Sequence, residues 1–386
     1  MIPYGKQSIN QADIDAVVKV LQSDYLTQGT QVPAFEQAVA SYCDVKFAVA
    51  VNSATSALHI ACLALGLCEG DWLWTSPNTF VASANCARYC GAKVDFVDID
   101  PKTYNLCADK LEEKLIQAKD KNRLPKIVIP VHFAGQSCDM QRIYQLSQEY
   151  GFRIIEDASH AIGGKYLDKP IGGCQYSDIT VFSFHPVKII TTAEGGIATT
   201  NQPGLAEKME LLRSHGVTRK AHLMDQTLEG PWYYQQVDLG FNYRMTELQA
   251  ALGISQMTRL DEFVSKRHQL ARRYFSELAD TGLVLPFQHQ DSHSSFHLFP
   301  ILLPDQLDRA NVFNQLREGG LGVNVHYIPV HIQPYYRKLG FKSGDFPNAE
   351  AYYQQVISIP LHQGLTVQQQ SHVITCLHQL TSKVIV

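Results

Sequence analysis

The most constraining feature of this 386-residue chain is the alternation of short apolar runs with helix-like segments through its first two-thirds. The segments Phe47–Val51, Trp72–Thr75 and 127–131 are apolar and of strand length, whereas 55–65, 79–89 and Met140–Tyr150 have helical periodicity. Strands that are covered on both faces lose the polar–apolar alternation of a half-exposed strand, and parallel strands need helical crossovers. This order therefore predicts an α/β fold with a mostly parallel sheet and helices on both faces.

The chain from residue 244 onwards has a different order of segments and predicts a second, smaller domain. Its predicted elements are helices at 245–257 and 260–278, a strand at 296–303, a helix at 310–318 and a strand at 323–327. We therefore expect a large domain over residues 1–264 and a smaller α+β domain over residues 265–386.

Charge, hydropathy and cysteine usage exclude several classes of protein. The formal net charge is −4 and no block of like charges forms a basic arm, so we expect no nucleic-acid partner. No apolar stretch approaches the ~20 residues that span a bilayer, and the first residues lack the apolar core of a signal peptide. The 9 cysteines form no C-x-x-C pair and no H-E-x-x-H segment occurs, so we expect reduced thiols, no metal site and a cytoplasmic location.

Polar side chains follow almost every predicted strand of the large domain. They are Asn52, Ser53, Ser76, Asp98, His132, Glu156, Asp157 and Ser183. Ligands of parallel α/β sheets bind outside the carboxyl ends of the strands. We therefore expect these side chains to converge on one crevice.

Lys188 and Asp157 are the pair that most directly indicates chemistry. Lys188 follows the apolar strand 180–184 and precedes the polar turn 191–196, where partial desolvation would lower the pKa of its amine. Such a lysine can hold pyridoxal 5′-phosphate (PLP) as a Schiff base, while a carboxylate such as Asp157 pairs with the pyridinium nitrogen. The spacing alone does not separate these roles from a buried structural lysine and a turn-capping aspartate.

The segment 52–58 joins a strand to a helix and offers an anion site. The N–H groups of Ala54, Thr55 and Ser56 stand at the start of that helix, where a phosphate would bind. Capping of the helix by Ser53 or Thr55 is the alternative interpretation.

Three further residues have two interpretations each. Phe80 would stack on a flat cofactor or pack in the core. His160 would contact a cofactor hydroxyl or serve as a structural histidine. Asn242 would cap the first long helix or reach a phosphate, in a partner subunit if the protein is a dimer.

Taken together, motifs along nearly the whole chain resemble those of the DegT/DnrJ/EryC1/StrS family of sugar aminotransferases. The motifs that carry the resemblance are 26–29 (LTQG), 54–58 (ATSAL), 79–80 (TF), 97–100 (VDID), 132–136 (HFAGQ), 156–158 (EDA), 183–188 (SFHPVK), 194–196 (EGG) and 240–244 (GFNYR). The resemblance implies fold type I of the PLP-dependent transferases, with a mostly parallel seven-stranded sheet. It also implies a nucleotide-sugar aminotransferase that uses PLP, passes through pyridoxamine 5′-phosphate as an intermediate, and works as a homodimer with shared active sites.

Ala54 and His160 narrow the resemblance within the family. Many members have glycine and glutamine at these positions, and the two departures resemble one subgroup. That subgroup implies transfer of the amino group of L-glutamate to C4 of a UDP-4-keto-6-deoxy-N-acetylhexosamine, giving UDP-4-amino-4,6-dideoxy-N-acetyl-β-L-altrosamine for pseudaminic acid synthesis. Trp74 and Ile189 differ from the expected pattern, but neither belongs to the predicted chemistry.

The resemblance also implies a role for each site residue. Lys188 would be the Schiff-base lysine and Asp157 the partner of the pyridinium nitrogen. Phe80 would stack on the cofactor ring, and His160 would contact its hydroxyl. The predicted phosphate end comprises Ala54, Thr55, Ser56, Ser183 and, from the second subunit, Asn242. The predicted substrate contacts are Tyr4, Asp24, Tyr25, Leu26, Thr27, Ala54, Ser183, Asn242, Asn324, Val325, His326 and Tyr327.

Three alternatives remain beside this function. A PLP-dependent sugar dehydratase of the same fold resembles this chain, but that subgroup has histidine where Lys188 stands. A non-catalytic protein of this fold would not need the Lys188 and Asp157 pair. The same reaction on another nucleotide-linked 4-keto-6-deoxy sugar, such as a bacillosamine precursor or a thymidine-linked sugar, is not separated by the sequence.

Overall fold

A computed structural model describes residues 1–121, 123–226 and 229–382, so residues 383–386 at the end of the predicted small domain lie outside the described part. The strands in this part are β1 (Ile2–Pro3), β2 (Phe47–Val51), β3 (Trp72–Thr75), β4 (Lys93–Phe96), β5 (Ile127–Ile129), β6 (Arg153–Asp157), β7 (Lys165–Tyr166), β8 (Lys169–Pro170), β9 (Ile179–Ser183), β10 (Gly196–Thr200), β11 (Val217–Thr218), β12 (Gln235–Gln236), β13 (Ser292–His293), β14 (Phe299–Leu302), β15 (Leu321–Gly322) and β16 (Val356–Ile359). The helices are α1 (Gln11–Leu21), α2 (Gln31–Cys43), α3 (Ala54–Ala64), α4 (Ala82–Tyr89), α5 (Ala108–Lys119), α6 (Met140–Tyr150), α7 (Pro203–Arg213), α8 (Glu247–Met257), α9 (Leu260–Glu277), α10 (Arg309–Glu318), α11 (Pro334–Arg337), α12 (Pro347–Gln355) and α13 (Val367–Thr381).

The central sheet contains seven strands in the order β2–β10–β9–β6–β5–β3–β4. Strand β10 runs antiparallel to both of its neighbours, and the other neighbouring pairs are parallel. The predicted mostly parallel sheet is therefore confirmed. All strands of this central sheet except β10 point the same way, so their carboxyl ends meet at one edge of the sheet.

Helix α3 illustrates how the sequence sets the packing at this edge. The Ser53 side chain accepts a hydrogen bond from the Ser56 N–H and so caps the helix, and Gly66, with a φ of +77°, follows its end. Between these points Leu58 and Ile60 are buried against the sheet at 1% and 0% exposure. Each such side chain contributes about 1.5–3 kcal/mol relative to an exposed one, which fixes the position of the helix start beside the sheet.

Two element boundaries near the site differ from the prediction. The helix predicted at 79–89 begins only at Ala82, because the preceding Asn78 donates its side-chain amide to the carbonyl of Tyr104 and holds the chain in a bend. The strand predicted at 127–131 ends at Ile129, because Pro130 has no N–H to give to a ladder.

The prediction of a strand at 323–327 is wrong. Strand β15 ends at Gly322 and pairs in parallel with β1, and an isolated bridge joins Asn324 to Ser358. The following backbone donors bond to side chains instead of a ladder: Val325 N–H donates to Asn324 Oδ1 at 2.8 Å and Tyr327 N–H to Asn78 Oδ1 at 3.3 Å. Residues 324–327 therefore form an irregular segment.

A second core lies in the C-terminal part of the chain. It is formed by α9, α10 and α13 with the antiparallel pair β14–β16, and Tyr274, Phe299 and Ile357 are completely buried within it. Strand β1 joins this part through β15, and the division at 264/265 remains a prediction. Within the described residues, no helix has both the length and the apolar character needed to cross a membrane.

Candidate active site

Asp157 is the last residue of β6, at the edge where the parallel strands end. Its side chain is 5% exposed. Ser83 Oγ donates to Asp157 Oδ2 at 2.6 Å, and the Ser159 N–H donates to Oδ1 at 3.1 Å. These two donors fix the orientation of a buried carboxylate at the bottom of the crevice.

Ser83 is a site residue that sequence reasoning missed. It lies on α4, and its hydroxyl also contacts Thr79 Oγ1 at 2.8 Å. The spacing of four residues between Thr79 and Ser83 was the available signal, since in the helix predicted at 79–89 it would place both hydroxyls on the same side of the segment that also contains Phe80.

Lys188 lies between β9 and β10, where it is half-buried. Desolvation in the crevice lowers the pKa of its amine to about 8, although the nearby Asp157 carboxylate acts in the opposite direction by favouring the charged form. No carboxylate among the described residues comes within the 4.0 Å of an ion pair with the Lys188 amine. The result is an amine that is available for chemistry near neutral pH.

The start of α3 lies directly beside Ser183 and Gly196. Ser183 pairs with Gly196 across β9 and β10, and a Cβ atom on Gly196 would come within 2.4 Å of the Ala54 nitrogen. Only glycine permits this approach. The first N–H groups of α3, those of Ala54 and Thr55, have no acceptor within the helix and form an anion-binding end on the same edge of the sheet as Lys188.

His160 is buried and both of its ring nitrogens contact protein groups. The Ala134 N–H donates to His160 Nδ1 at 3.2 Å, and Tyr327 Oη lies 3.1 Å from Nε2. Burial and the neighbouring charge of Lys188 lower the pKa of His160 well below its ordinary value. A neutral ring that accepts at Nδ1 carries its proton on Nε2, so His160 donates to Tyr327 and leaves the tyrosine hydroxyl hydrogen free.

Aromatic side chains surround the crevice. Phe80 is 60% exposed, which rules out its interpretation as a core residue, and its ring lies 6.5 Å from that of Tyr327. Tyr4 packs edge-to-face against His326 at 5.1 Å, and His326 is held by Ser358 Oγ at 2.8 Å from Nδ1. The irregular segment 324–327 thus brings two of its side chains to the site, although it is not a strand.

His297 is a further residue that the sequence did not indicate. Its ring lies 4.4 Å from that of His160, and its buried Nδ1 has no hydrogen-bond partner among the described residues. Burial lowers the pKa of His297 and also lowers the pKa of His326 to about 3. The charge of Lys188 acts on both pKa values in the same direction. Neutral imidazoles therefore surround the Lys188 amine.

Several predicted residues lie elsewhere. His132 is completely buried behind the sheet edge and contacts Glu156 Oε2 through Nε2 at 2.7 Å. Asp98 accepts hydrogen bonds from the backbone of α12. Ser56 is buried, and its hydroxyl donates to Asn52 Oδ1 at 2.7 Å. The prediction that all strand-end polar residues converge is therefore wrong for His132, Glu156 and Asp98, because their side chains bond to other parts of the protein.

Asn242 and the loop 24–27 are both exposed in the single chain. The Asn242 carbonyl accepts from Asn52 Nδ2 at 3.4 Å, close to the start of α3, and Thr246 rather than Asn242 caps α8. In the loop, Asp24 and Tyr25 line a crevice of about 500 Å³ together with residues of α1 and α8. The Leu26 carbonyl accepts a hydrogen bond from the Glu247 N–H, which holds this loop against the start of α8.

This donor set fits PLP. A buried carboxylate suits a protonated ring nitrogen, an unpaired and desolvated amine suits covalent attachment, and free N–H groups at a helix start suit a phosphate. An exposed ring at Phe80 supplies a stacking surface. Ser183 lies next to the helix start, where its hydroxyl can add to the phosphate contacts.

The fold and this site together define a PLP-dependent aminotransferase. Residues 7–378 match the model of the DegT/DnrJ/EryC1/StrS aminotransferase family. The chain belongs to this family and is a sugar aminotransferase.

Known proteins similar to the chain cover it almost completely. The UDP-4-amino-4,6-dideoxy-N-acetyl-beta-L-altrosamine transaminase of Campylobacter jejuni is 39% identical over 100% of this chain and 98% of that protein. The structure of Helicobacter pylori PseC, an aminotransferase involved in the biosynthesis of pseudoaminic acid, is 30% identical with a TM-score of 0.91 and covers 99% of each chain. The putative sugar aminotransferase Spr1654 of Streptococcus pneumoniae has been solved in a PLP form, 28% identical with a TM-score of 0.89 over 100% of both chains.

The Spr1654 protein has also been solved in a pyridoxamine phosphate form, 29% identical with a TM-score of 0.90 over 100% of both chains. The predicted family, fold class and cofactor are thereby confirmed.

Proposed function

We propose that this enzyme transfers the amino group of L-glutamate to C4 of a UDP-4-keto-6-deoxy-N-acetylhexosamine. The product would be UDP-4-amino-4,6-dideoxy-N-acetyl-β-L-altrosamine, an intermediate for pseudaminic acid. The observation that carries the proposal is the unpaired, desolvated Lys188 amine beside the buried Asp157 carboxylate in a chain 39% identical to a transaminase that is named for this amino sugar.

The protein groups around the cofactor would have separate tasks. Bound PLP supplies an electron sink that stabilises negative charge at the carbon next to the transferred nitrogen. Asp157, oriented by Ser83 and Ser159, keeps the ring nitrogen protonated. The N–H groups of Ala54 and Thr55 hold the phosphate. Ser56 lies in the same helical turn, but its hydroxyl donates to Asn52 and does not bind the phosphate.

Lys188 is the proposed general base and acid. Its Nζ would remove the proton from the α-carbon of L-glutamate and, in the second half-reaction, deliver a proton to C4 of the sugar. A pKa of about 8 matches this task because the neutral and charged forms are both populated near physiological pH. The neutral His160, His297 and His326 add no charge beside the amine.

Tyr327 is the residue that we propose to position the sugar next to Lys188. Because His160 donates to its oxygen, the Tyr327 hydroxyl hydrogen is free to bond an oxygen acceptor of the cofactor or the substrate. Tyr4, Asn324 and His326 lie next to Tyr327 on one wall of the crevice. The ring contact between Tyr4 and His326 joins the two parts of this wall. We propose these side chains, with Val325 and Ser183, as the sugar-binding surface.

A homodimer would complete the site. Asn242 is exposed, and the preceding segment contains Trp232 and Leu239, which are 70% and 76% exposed. Burial of such side chains against a second copy is favourable by about 25 cal/mol per Å² of apolar surface. We therefore propose that Asn242 reaches the phosphate group of the cofactor bound in the second subunit. We also propose that the exposed loop 24–27 binds substrate together with the second subunit.

The proposal is tested by the amino-sugar products themselves. Purified enzyme with L-glutamate is offered separate UDP-, dTDP- and GDP-linked 4-keto-6-deoxy sugars, and each product is identified by NMR. We expect the UDP-linked N-acetylhexosamine with the L-arabino configuration to have the highest kcat/KM. A higher value for a differently configured or differently linked sugar would keep the reaction and replace the substrate, whereas sugar dehydration without amination would contradict the reaction class.

A further inference from the structure

Glu247 is a buried carboxylate that the proposed proton transfer does not use. It is the first residue of α8 and is 1% exposed. The Gln31 N–H donates to its Oε2 at 2.6 Å, and the Val32 N–H donates to its Oε1 at 3.3 Å. Both donors belong to the first turn of α2, where N–H groups have no acceptor within the helix, and the N-cap residue Thr30 supplies no side-chain bond. The Glu247 side chain therefore caps α2 from another part of the chain.

The backbone of Glu247 holds the chain on the other side of the same loop. Its N–H donates to the Leu26 carbonyl at 3.0 Å. One residue of α8 thus bonds the chain at residue 26 through its backbone and at residues 31–32 through its side chain. The loop 24–27 is therefore fixed to the start of α8 by both parts of Glu247.

Gly29 shows how closely this part of the chain approaches the carboxylate. A Cβ atom at this position would lie 2.7 Å from Glu247 Oε2 and 3.0 Å from Tyr25 Cβ. Carbon atoms pack best at about 3.5–4.0 Å, so a side chain here would displace the carboxylate, Tyr25 or both. The absence of a side chain at Gly29 is what allows Glu247 to reach the start of α2.

The first turn of α8 also contacts the segment that follows Lys188. Gln249 Nε2 donates to the Glu194 carbonyl at 2.7 Å, and Glu194 lies between Lys188 and β10. The Oε1 atom of Gln249 accepts from the Thr246 N–H at 2.9 Å within the capping box of α8, which orients this side chain. The start of α8 therefore sets the position of the loop 24–27 relative to the segment that contains the proposed base.

We propose that Glu247 is a positioning residue for the half-reaction that uses the nucleotide sugar. This role rests on the proposed binding of substrate by the loop 24–27. A nucleotide sugar extends well beyond its reacting carbon, whereas L-glutamate is small, so the position of the loop matters to the sugar and not to the amino donor. Only a carboxylate offers an acceptor oxygen to both N–H groups, because a glutamine would turn its NH₂ group toward one of them.

The two half-reactions separate this role from a general structural one. PLP-loaded enzyme is mixed with L-glutamate, and enzyme loaded with pyridoxamine phosphate is mixed with the UDP-linked 4-keto sugar. The absorbance of bound PLP falls in the first case and rises in the second. For Glu247→Gln we expect the half-saturating sugar concentration to rise about tenfold, because a hydrogen bond to a charged acceptor is lost. The half-saturating concentration of L-glutamate and both maximal rates should be unchanged.

Gly29→Ala perturbs the same contact from the side of the loop and should raise the half-saturating sugar concentration in the same way. Because both changes act through one contact, the double variant should be no worse than the more affected single variant, rather than showing the product of the two effects. Asp13→Asn is the matched control, since Asp13 is also a buried carboxylate and accepts from Ser255 and Gln256 at the other end of α8. It should leave the dependence on sugar concentration unchanged.

Hydrogen exchange of peptides that cover residues 24–32 gives a readout that does not depend on turnover. We expect faster exchange in Glu247→Gln and Gly29→Ala than in the wild type and in Asp13→Asn. Thermal melts check that the variants are folded, and Gly29→Ala carries the test if Glu247→Gln is unfolded.

Three results would overturn the role of Glu247: an unchanged sugar dependence in the loop variants, an equal loss in both half-reactions, or the same loss in Asp13→Asn. Failure of the proposed substrate is a different result, because the wild type itself would then not aminate the UDP-linked sugar. The variants would in that case be compared on the sugar that the wild type does aminate.

Discussion

The Lys188 amine should lose its proton near pH 8. At pH 7.5 an amine of this pKa is neutral in roughly one molecule in four, whereas an ordinary lysine with a pKa of ~10.4 is neutral in about one in a thousand. Only the neutral amine attacks an aldehyde, so Lys188 should capture PLP about 200-fold faster than an exposed lysine with the same access. The rate should rise with pH and reach a plateau above about pH 9.

Stopped-flow mixing of the apoenzyme with PLP measures this rate through the absorbance of the bound cofactor. The variant Lys188→Ala supplies the background from other amines, which is subtracted at each pH. A rate that continues to rise tenfold per pH unit to pH 10 would refute the reasoning, because the amine would then titrate like a solvated lysine. Borohydride reduction followed by peptide mapping confirms that the fast phase belongs to Lys188.

Three further predictions follow from the site. Ser83→Ala should weaken binding of pyridoxamine phosphate about 10- to 100-fold, because a hydrogen bond to a charged group such as Asp157 contributes ~1.5–3 kcal/mol. Fluorescence titration measures the affinity of the variant for pyridoxamine phosphate. An unchanged affinity would contradict the role of Ser83. Glu156→Gln should lower the free energy of unfolding in urea by about 1.5–3 kcal/mol, because it replaces a buried carboxylate that accepts hydrogen bonds from His132, Ser177 and Thr180. Burial raises the pKa of Glu156, but the hydrogen bonds from His132 and other donors lower it below its ordinary value, so this stabilisation should be present above about pH 4.3 and disappear as the pH falls further; an equally stable variant would refute the pairing. Tyr327→Phe should lower kcat/KM for the keto sugar about tenfold while the absorbance of bound PLP is retained, because one neutral hydrogen bond of ~1 kcal/mol or slightly more is lost; loss of cofactor binding would place Tyr327 on the cofactor instead.

The sequence predicted the layout of the large domain because its signals there are local. Runs such as Phe47–Val51 and Met140–Tyr150 were recognised with their observed bounds, since apolar continuity and a capping aspartate are both visible in the chain. The segment 324–327 has the composition of a strand, yet its backbone donors bond to Asn324 and Asn78 side chains. The bond to Asn78 joins residues far apart in the chain and has no periodic signature in the sequence.

The site was predictable where one residue supplies both the chemistry and the motif. Lys188 and Asp157 are of this kind. Ser83 and His297 were missed because their roles depend on contacts across the fold, with Asp157 and His160 respectively. His132 was placed in the crevice because it follows a strand, but Glu156 is its partner and binds it inside the protein.

Transfer of labelled nitrogen tests the central claim most directly. The wild-type enzyme and Lys188→Ala, both loaded with PLP, are incubated with ¹⁵N-labelled L-glutamate and the UDP-linked 4-keto sugar, and the sugar product is examined by NMR. The account predicts ¹⁵N bonded to C4 of the sugar with the wild type and no labelled product with the variant. Full labelling by Lys188→Ala, or an amino sugar without the label, would contradict it.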